Sequence, residues 1–265
     1  MLEPLPTLRQ PARPAAAFAR HLPATAAFGW LRAGWRDLKA APWSSLVYGL
    51  FLTLVSYAVL WALAASHLLY LALPAISGFL IVGPFLAIGL YEKSRRQSAG
   101  AKVGLSDILA FRPASGGQLA YAGLLLGLLV LFWLRAADLL YALYFGLTPF
   151  PGAAEAFVNA FTTPRGWALI ATGTLVGGLF AAFAFAISVF SVPMLVDRKT
   201  DALTAMGLSF AMTAENLRPM LTWGVIVAAG LALSLVTGLL GLIVIFPILG
   251  HGTWHAYAAI AGPDE

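Results

Sequence analysis

The chain reads as an all-α polytopic membrane protein. Six transmembrane helices form three quasi-repeated hairpins, each preceded by a short amphipathic interfacial helix. Three observations predict this. Only 10% of the 265 residues are charged and 60% are hydrophobic, whereas soluble domains carry about 25% charge. The windows Trp43–Leu90, Gly116–Leu134, Gly166–Val196 and Pro219–Gly262 contain no Asp, Glu, Lys or Arg. Short charged segments ending in proline recur before the apolar blocks.

A helix needs about 20 apolar residues to cross the hydrocarbon core. The windows predict helices over 43–66, 69–91, 118–135, 167–194, 219–238 and 240–260. His67 joins the first two, and Gly238 and Gly241 mark the joint of the last two. A strand reading fails, because barrel strands alternate apolar and polar residues and these blocks are apolar on every face. Residues 29–262 thus form one membrane domain. Residues 1–28, punctuated by Pro4, Pro6, Pro11, Pro14 and Pro23 and charged by Arg9, Arg13 and Arg20, read as a mobile cytoplasmic tail. Its apolar run Ala15–Ala19 is too short for a signal segment.

Basic residues orient the helices. Arg32, Arg36 and Lys39 precede the first span; Lys93, Arg95, Arg96, Lys102 and Arg112 separate the second and third; Arg198, Lys199 and Arg218 separate the fourth and fifth. The opposite loops hold only Arg165. Both termini are expected in the cytoplasm. The net charge of +5 belongs to these loops and anionic headgroups, so nucleic acid is not an expected partner. The lipid bilayer is the expected partner, with another membrane protein or a second copy of the chain as the further partner to test.

The lead segments are Trp35–Pro42, Ser106–Pro113 and Ala214–Pro219. The second helix of each hairpin then carries a Pro-apolar-Leu step at Pro84, Pro193 and Pro247. An in-span proline removes a backbone hydrogen bond and kinks the helix. Such irregular backbone is tolerated where protein packs it or where it lines a cavity. These three prolines are candidate hinges.

Arg135 and Asp138, three residues apart after about 18 apolar residues, share a helix face near the outer boundary and are expected to pair. They read as an interfacial clasp or as a polar gate. His251 and His255 share a face of the last helix and are candidate metal ligands, although no acidic residue or cysteine lies near them in sequence. Interfacial hydrogen bonding is the competing role. Asp197, Arg198, Lys199 and Asp201 read as a solvated turn. Gly123–Gly127 and Gly173–Gly177 fit the small-xxx-small pattern that lets helices approach. The eight tryptophans mostly fall near span ends, as an aromatic belt requires.

No cysteine is present, which removes disulfides, thiolate metal sites and cysteine catalysis. Nucleophile-elbow, phosphate-loop, zincin and dinucleotide motifs are also missing from the sequence. The expectation is therefore no catalytic residues, no cofactor and no enzymatic activity.

Gly34-Trp35-Arg36-Asp37-Leu38, Gly83-Pro84-Phe85 followed by Tyr91-Glu92, and Pro193-Met194-Leu195 leading through Asp197 and Asp201-Ala202 to Asn216 resemble a bacterial integral-membrane family, domain of unknown function 2189. The resemblance spans about Trp30 to Ala261. It implies a multi-pass protein of the bacterial inner membrane and supplies no catalytic residues. Two function classes remain. One is a non-enzymatic accessory or organising protein of a membrane complex. The other is a small permease or channel with a cavity among the proline-kinked helices.

Overall fold

A computed structural model describes residues 18–68, 71–101, 103–109, 111–146 and 152–262. Residues 1–17 of the expected tail lie outside the described residues. From Phe18 onward the chain is tied down: the Phe18 amide donates to Glu215, and Asn216 and residues 18–20 exchange hydrogen bonds. Arg20 donates to the carbonyls of Ile260 and Ala261, where the last helix ends.

The described chain is helical, with no strand among the described residues. Six stretches are long and apolar enough to span a membrane. α1 (Ala26–Ala40) precedes the first span, α2 (Pro42–Ala65). Pro42 occupies the first turn of α2, where its missing N–H costs no intrahelical bond. α3 (Ala72–Leu86) and α4 (Ile88–Ser98) make the second span, broken at Ala87 just after Pro84. After the short α5 (Leu105–Leu109), the third span is α6 (Gly116–Phe145). α7 (Ala153–Thr162) leads into α8 (Pro164–Ser188), and α9 (Ser191–Asp197) completes the fourth span. α10 (Ala202–Glu215), α11 (Leu217–Val236) and α12 (Leu242–Ala261) follow, the last two being the fifth and sixth spans.

α6 extends ten residues beyond the expected end. The Arg135–Asp138 charges do not stop the helix, and Leu139–Phe145 continue its turns. At about 1.5 Å per residue its 30 residues exceed the roughly 30 Å hydrocarbon core.

The α8–α9 and α12 spans are central: 61% and 56% of their apolar windows are buried, against 17–33% for the other four. The outer faces of α2, α6, α8 and α11 leave large apolar side chains such as Phe51, Phe132, Leu175 and Val225 exposed. In water such surface would be unstable; in lipid it is solvated. α1 buries Ala27, Trp30, Ala33, Gly34 and Leu38 along one stripe and packs on α12 and α11. Trp30 meets Trp223 edge to face at 6.0 Å.

Two glycines let α12 come close to its neighbours. A Cβ on Gly34 would lie 2.3 Å from the Ile248 carbonyl, and one on Gly49 would lie 2.3 Å from that of Ile243. Ile243 is four residues before Pro247, so its carbonyl is the one that proline cannot serve. α2 therefore crosses α12 at the irregular turn. The small-xxx-small runs act differently. Gly123 receives the ring of Phe85 and Gly177 that of Trp133, while no atom outside their own helix approaches within 4 Å of a Cβ on Gly127 or Gly173. These runs make room for aromatic rings, and Trp133 also donates to Pro74 and Ser77 of α3. Four tryptophans (Trp35, Trp43, Trp61 and Trp167) are exposed, whereas Trp30, Trp133, Trp223 and Trp254 are core residues.

Candidate functional site: a closed polar network

A cluster of buried polar groups forms at the end of the bundle where α1 and α4 finish and α2 begins. Asp37 comes from α1, Ser45 from the first turn of α2, Glu92, Lys93 and Ser94 from α4, and His251 and His255 from α12. Ser45, Lys93, Ser94 and His251 are completely buried and Glu92 nearly so. Contacts span 48 to 218 residues of sequence.

The hydrogen bonds form one directed chain. Lys93 Nζ donates to the Ala41 carbonyl at 2.6 Å and to Ser45 Oγ at 2.5 Å. Ser45 Oγ lies 2.9 Å from His251 Nε2, and Ser94 Oγ lies 2.7 Å from His251 Nδ1. Ser94 donates to Asp37 Oδ2 at 2.6 Å, and His255 Nε2 approaches the same oxygen at 2.9 Å. An ammonium only donates and an ionised carboxylate only accepts, which sets every intermediate direction. Ser94 gives its proton to Asp37 and so accepts from His251 Nδ1–H. His251 Nε2 is left as the acceptor of the Ser45 hydroxyl. The network thus assigns His251 as a neutral imidazole protonated on Nδ1.

Asp37 is the one charged member outside the spans. Burial alone would raise its carboxyl pKa, but hydrogen bonds from His255 and Ser94 and the charge of His255 hold it below the ordinary 3.8. Beside the network, Glu92 takes a two-point contact from Arg95 and a bond from Arg96, which also reaches Asp107 at 3.4 Å. The Glu92 carboxylate is therefore neutralised locally, and both arginines are partly exposed.

Chemically this arrangement holds helices together. It joins α1, α2, α4 and α12 through four fully buried side chains, Ser45, Lys93, Ser94 and His251, with Asp37 and His255 partly exposed at its outer end. His251 and His255 share a helix face, but their nitrogens go to different partners, the two serines and Asp37. No group of three or more His, Asp or Glu suited to a metal occurs among the described residues.

The other expected positions lie elsewhere. Arg135 and Asp138 approach to 3.6 Å on α6, with the arginine side chain 83% exposed. Such a surface pair contributes little. Pro84 lines a cavity of about 70 Å³ among α3, α8, α11 and α12. Pro193 and Pro247 are buried outside its wall. Val189, four residues before Pro193, does line it. Asp201 caps α10 by accepting from the Thr204 amide, and the Thr204 hydroxyl and amide together hold its carboxyl below 3.8. Asp197 meets Tyr257 of α12 at 3.2 Å.

Sequence reading found Asp37, Lys93, His251 and His255 as separate features and missed Ser45 and Ser94. The available signal was the run Glu92-Lys93-Ser94, three polar residues continuing a helix that is apolar for two turns before them.

None of the curated proteins and none of the solved structures matches the chain. A family model described as predicted integral membrane protein (DUF2189) matches residues 72–197, which run from the start of α3 to the end of α9. The matched stretch contains Pro84, the Tyr91–Ser94 run and Pro193, and leaves out α1, α2 and α12, which supply the rest of the network. Over those residues the chain is similar to the predicted integral membrane proteins of family DUF2189.

Proposed function

We propose that the protein is a non-enzymatic component of the bacterial inner membrane that organises or accompanies a membrane complex. Both termini face the cytoplasm, and the spans form three related hairpins led by interfacial helices. The observation that carries this reading is the closed network. Within it Asp37, Ser45, Lys93, Ser94, His251 and His255 of α1, α2, α4 and α12 pair with one another, and the described cavity is apolar and small. Broad apolar faces on α2, α6, α8 and α11 supply surface for lipid, for a partner or for a second copy.

A small permease or channel is the second reading. One feature favours it: Lys93 and His251 lie within candidate spans, where ionisable groups commonly mark ion paths. Gentle-detergent purification from native membranes, followed by mass spectrometry of co-purifying proteins, tests the first reading. A reproducible partner or a defined oligomer is the expected outcome. Solitary protein that gives solute or proton flux in liposomes, abolished by Lys93→Met, would replace it with the second. A reporter fused after Glu265 that works only outside the cytoplasm would reverse the orientation.

A further inference from the structure

We propose that the outward face of α1 is a docking surface for anionic glycerophospholipid headgroups, held there by Arg32, Arg36 and Lys39. These cations stand at i, i+4 and i+7, so they share one face of the helix, and all three are exposed. The opposite face is already used. Ala27, Trp30, Gly34 and Leu38 are buried against the bundle, and Asp37 bonds Ser94 and His255.

The outward face mixes two chemistries. Phe28 and Trp35 stand beside the cations at 51% and 41% exposure, and Trp43 follows at 77% in the first turn of α2. Lys39 Nζ lies 5.1 Å from the centre of the Trp35 ring, within cation–π range. Water solvates the cations but not the rings, and hydrocarbon solvates the rings but not the cations. The headgroup layer accepts both, which is why aromatic belts form at that depth. A free anion in water would leave the exposed rings unexplained.

The fold holds α1 at that depth. The helix ends at Ala40, and the first span begins at Pro42. Gly34 sits against the Ile248 carbonyl of the sixth span, and Trp30 against Trp223 of the fifth. The helix is thus fastened to the spans instead of standing off them.

The sign of the charge selects the lipid. Among the described residues no carboxylate pairs with Arg32, Arg36 or Lys39; Glu92 and Asp107 are taken by Arg95 and Arg96, Asp138 by Arg135 and Asp197 by Arg198. Uncompensated cations at a membrane surface favour a net-negative headgroup over a zwitterionic one, each by about fivefold. The proposal rests on the interfacial-helix part of the reading above. It does not depend on the accessory role or the orientation, since lipid offered in detergent reaches both ends of the molecule.

The test is native mass spectrometry of the full chain purified in mild detergent, with dioleoyl phosphatidylglycerol and dioleoyl phosphatidylethanolamine offered in equal amounts. The wild type should retain phosphatidylglycerol in excess. Arg32→Gln, Arg36→Gln and Lys39→Gln should each lower that excess by about fivefold, and the triple variant by at least about tenfold. Arg135→Gln, the same loss of charge on α6, should leave it unchanged. Raising ammonium acetate from about 0.05 M to about 0.5 M shortens the screening length about threefold. That should lower the wild-type excess without any substitution, and together with the single variants it replaces the triple variant if that one fails to fold. Equal retention of the two lipids by the wild type would overturn the proposal. So would an excess that survives in the folded triple variant, resists salt, or falls as far in Arg135→Gln as in Arg32→Gln.

Discussion

Replacing His251 by leucine tests the network at its centre. The two side chains are similar in volume, so packing changes little, but two hydrogen bonds disappear. Ser45 loses the acceptor of its hydroxyl and Ser94 loses the donor it receives from Nδ1, in a site where both serines are fully buried. Interhelical hydrogen bonds in membrane proteins average only about 0.6 kcal/mol, so two would be worth about 1.2 kcal/mol. That average includes groups that lipid-dispersed helices can satisfy otherwise. Here each stranded group is enclosed by protein, and an unsatisfied buried group costs about 1–3 kcal/mol. A loss of about 2–4 kcal/mol is therefore expected for His251→Leu. Ser45→Ala alone should cost less, and the double variant less than the sum, with a coupling of about 1–2 kcal/mol. Titration of the detergent-solubilised protein with sodium dodecyl sulfate measures these values, read from the near-ultraviolet signal of its eight tryptophans. A His251→Leu loss below about 0.5 kcal/mol, or a coupling indistinguishable from zero, would refute the idea that the network fastens these helices.

Two further outcomes follow from the same geometry. Asp37 has a folded-state pKa below 3.8, so its stabilisation is complete above that value and is lost as pH falls through the folded pKa. Wild-type stability should drop more steeply than that of Asp37→Asn when acidified below pH 3.8, as melting curves in detergent at stepped pH would show. Gly49→Ala should destabilise by about 1–3 kcal/mol because its methyl meets the Ile243 carbonyl, whereas Gly127→Ala, facing open space, should not destabilise at all; the same surfactant titration compares them.

The spans were legible because a bilayer imposes a one-dimensional rule. Charge-free runs of sufficient length must be helices, and 43–66 and 240–260 fall close to α2 and α12. Two ends were misjudged, those of α4 at Ser98 and α6 at Phe145, where the rule meets its limit: charged residues at a membrane boundary mark the bilayer edge, not the helix end. The site was less legible because its residues become neighbours only through helix crossings. Ser45 and His251 are 206 positions apart, and serine in an apolar helix most often bonds its own preceding turn, as Thr53 and Ser56 do here. What sets Ser45 apart is the approach of α12, which depends on Gly34 and Gly49. The i, i+4 spacing of His251 and His255 correctly placed both on one face. It carried no information about which helix that face would meet.

Ser45, Lys93, Ser94 and His251 are sealed from solvent, and the absence of native cysteine makes that seal directly measurable. Ser94→Cys places a near-isosteric thiol at its centre, and Lys39→Cys places one on the exposed face of α1. Each single variant is treated with a water-soluble maleimide in sealed, inverted membrane vesicles. The Lys39→Cys protein should label readily. The Ser94→Cys protein should label on the order of 100-fold more slowly, since its thiol must wait for local opening. Comparable labelling rates for the two variants would show that water reaches the network, contradicting a closed fastening and favouring a conducting path.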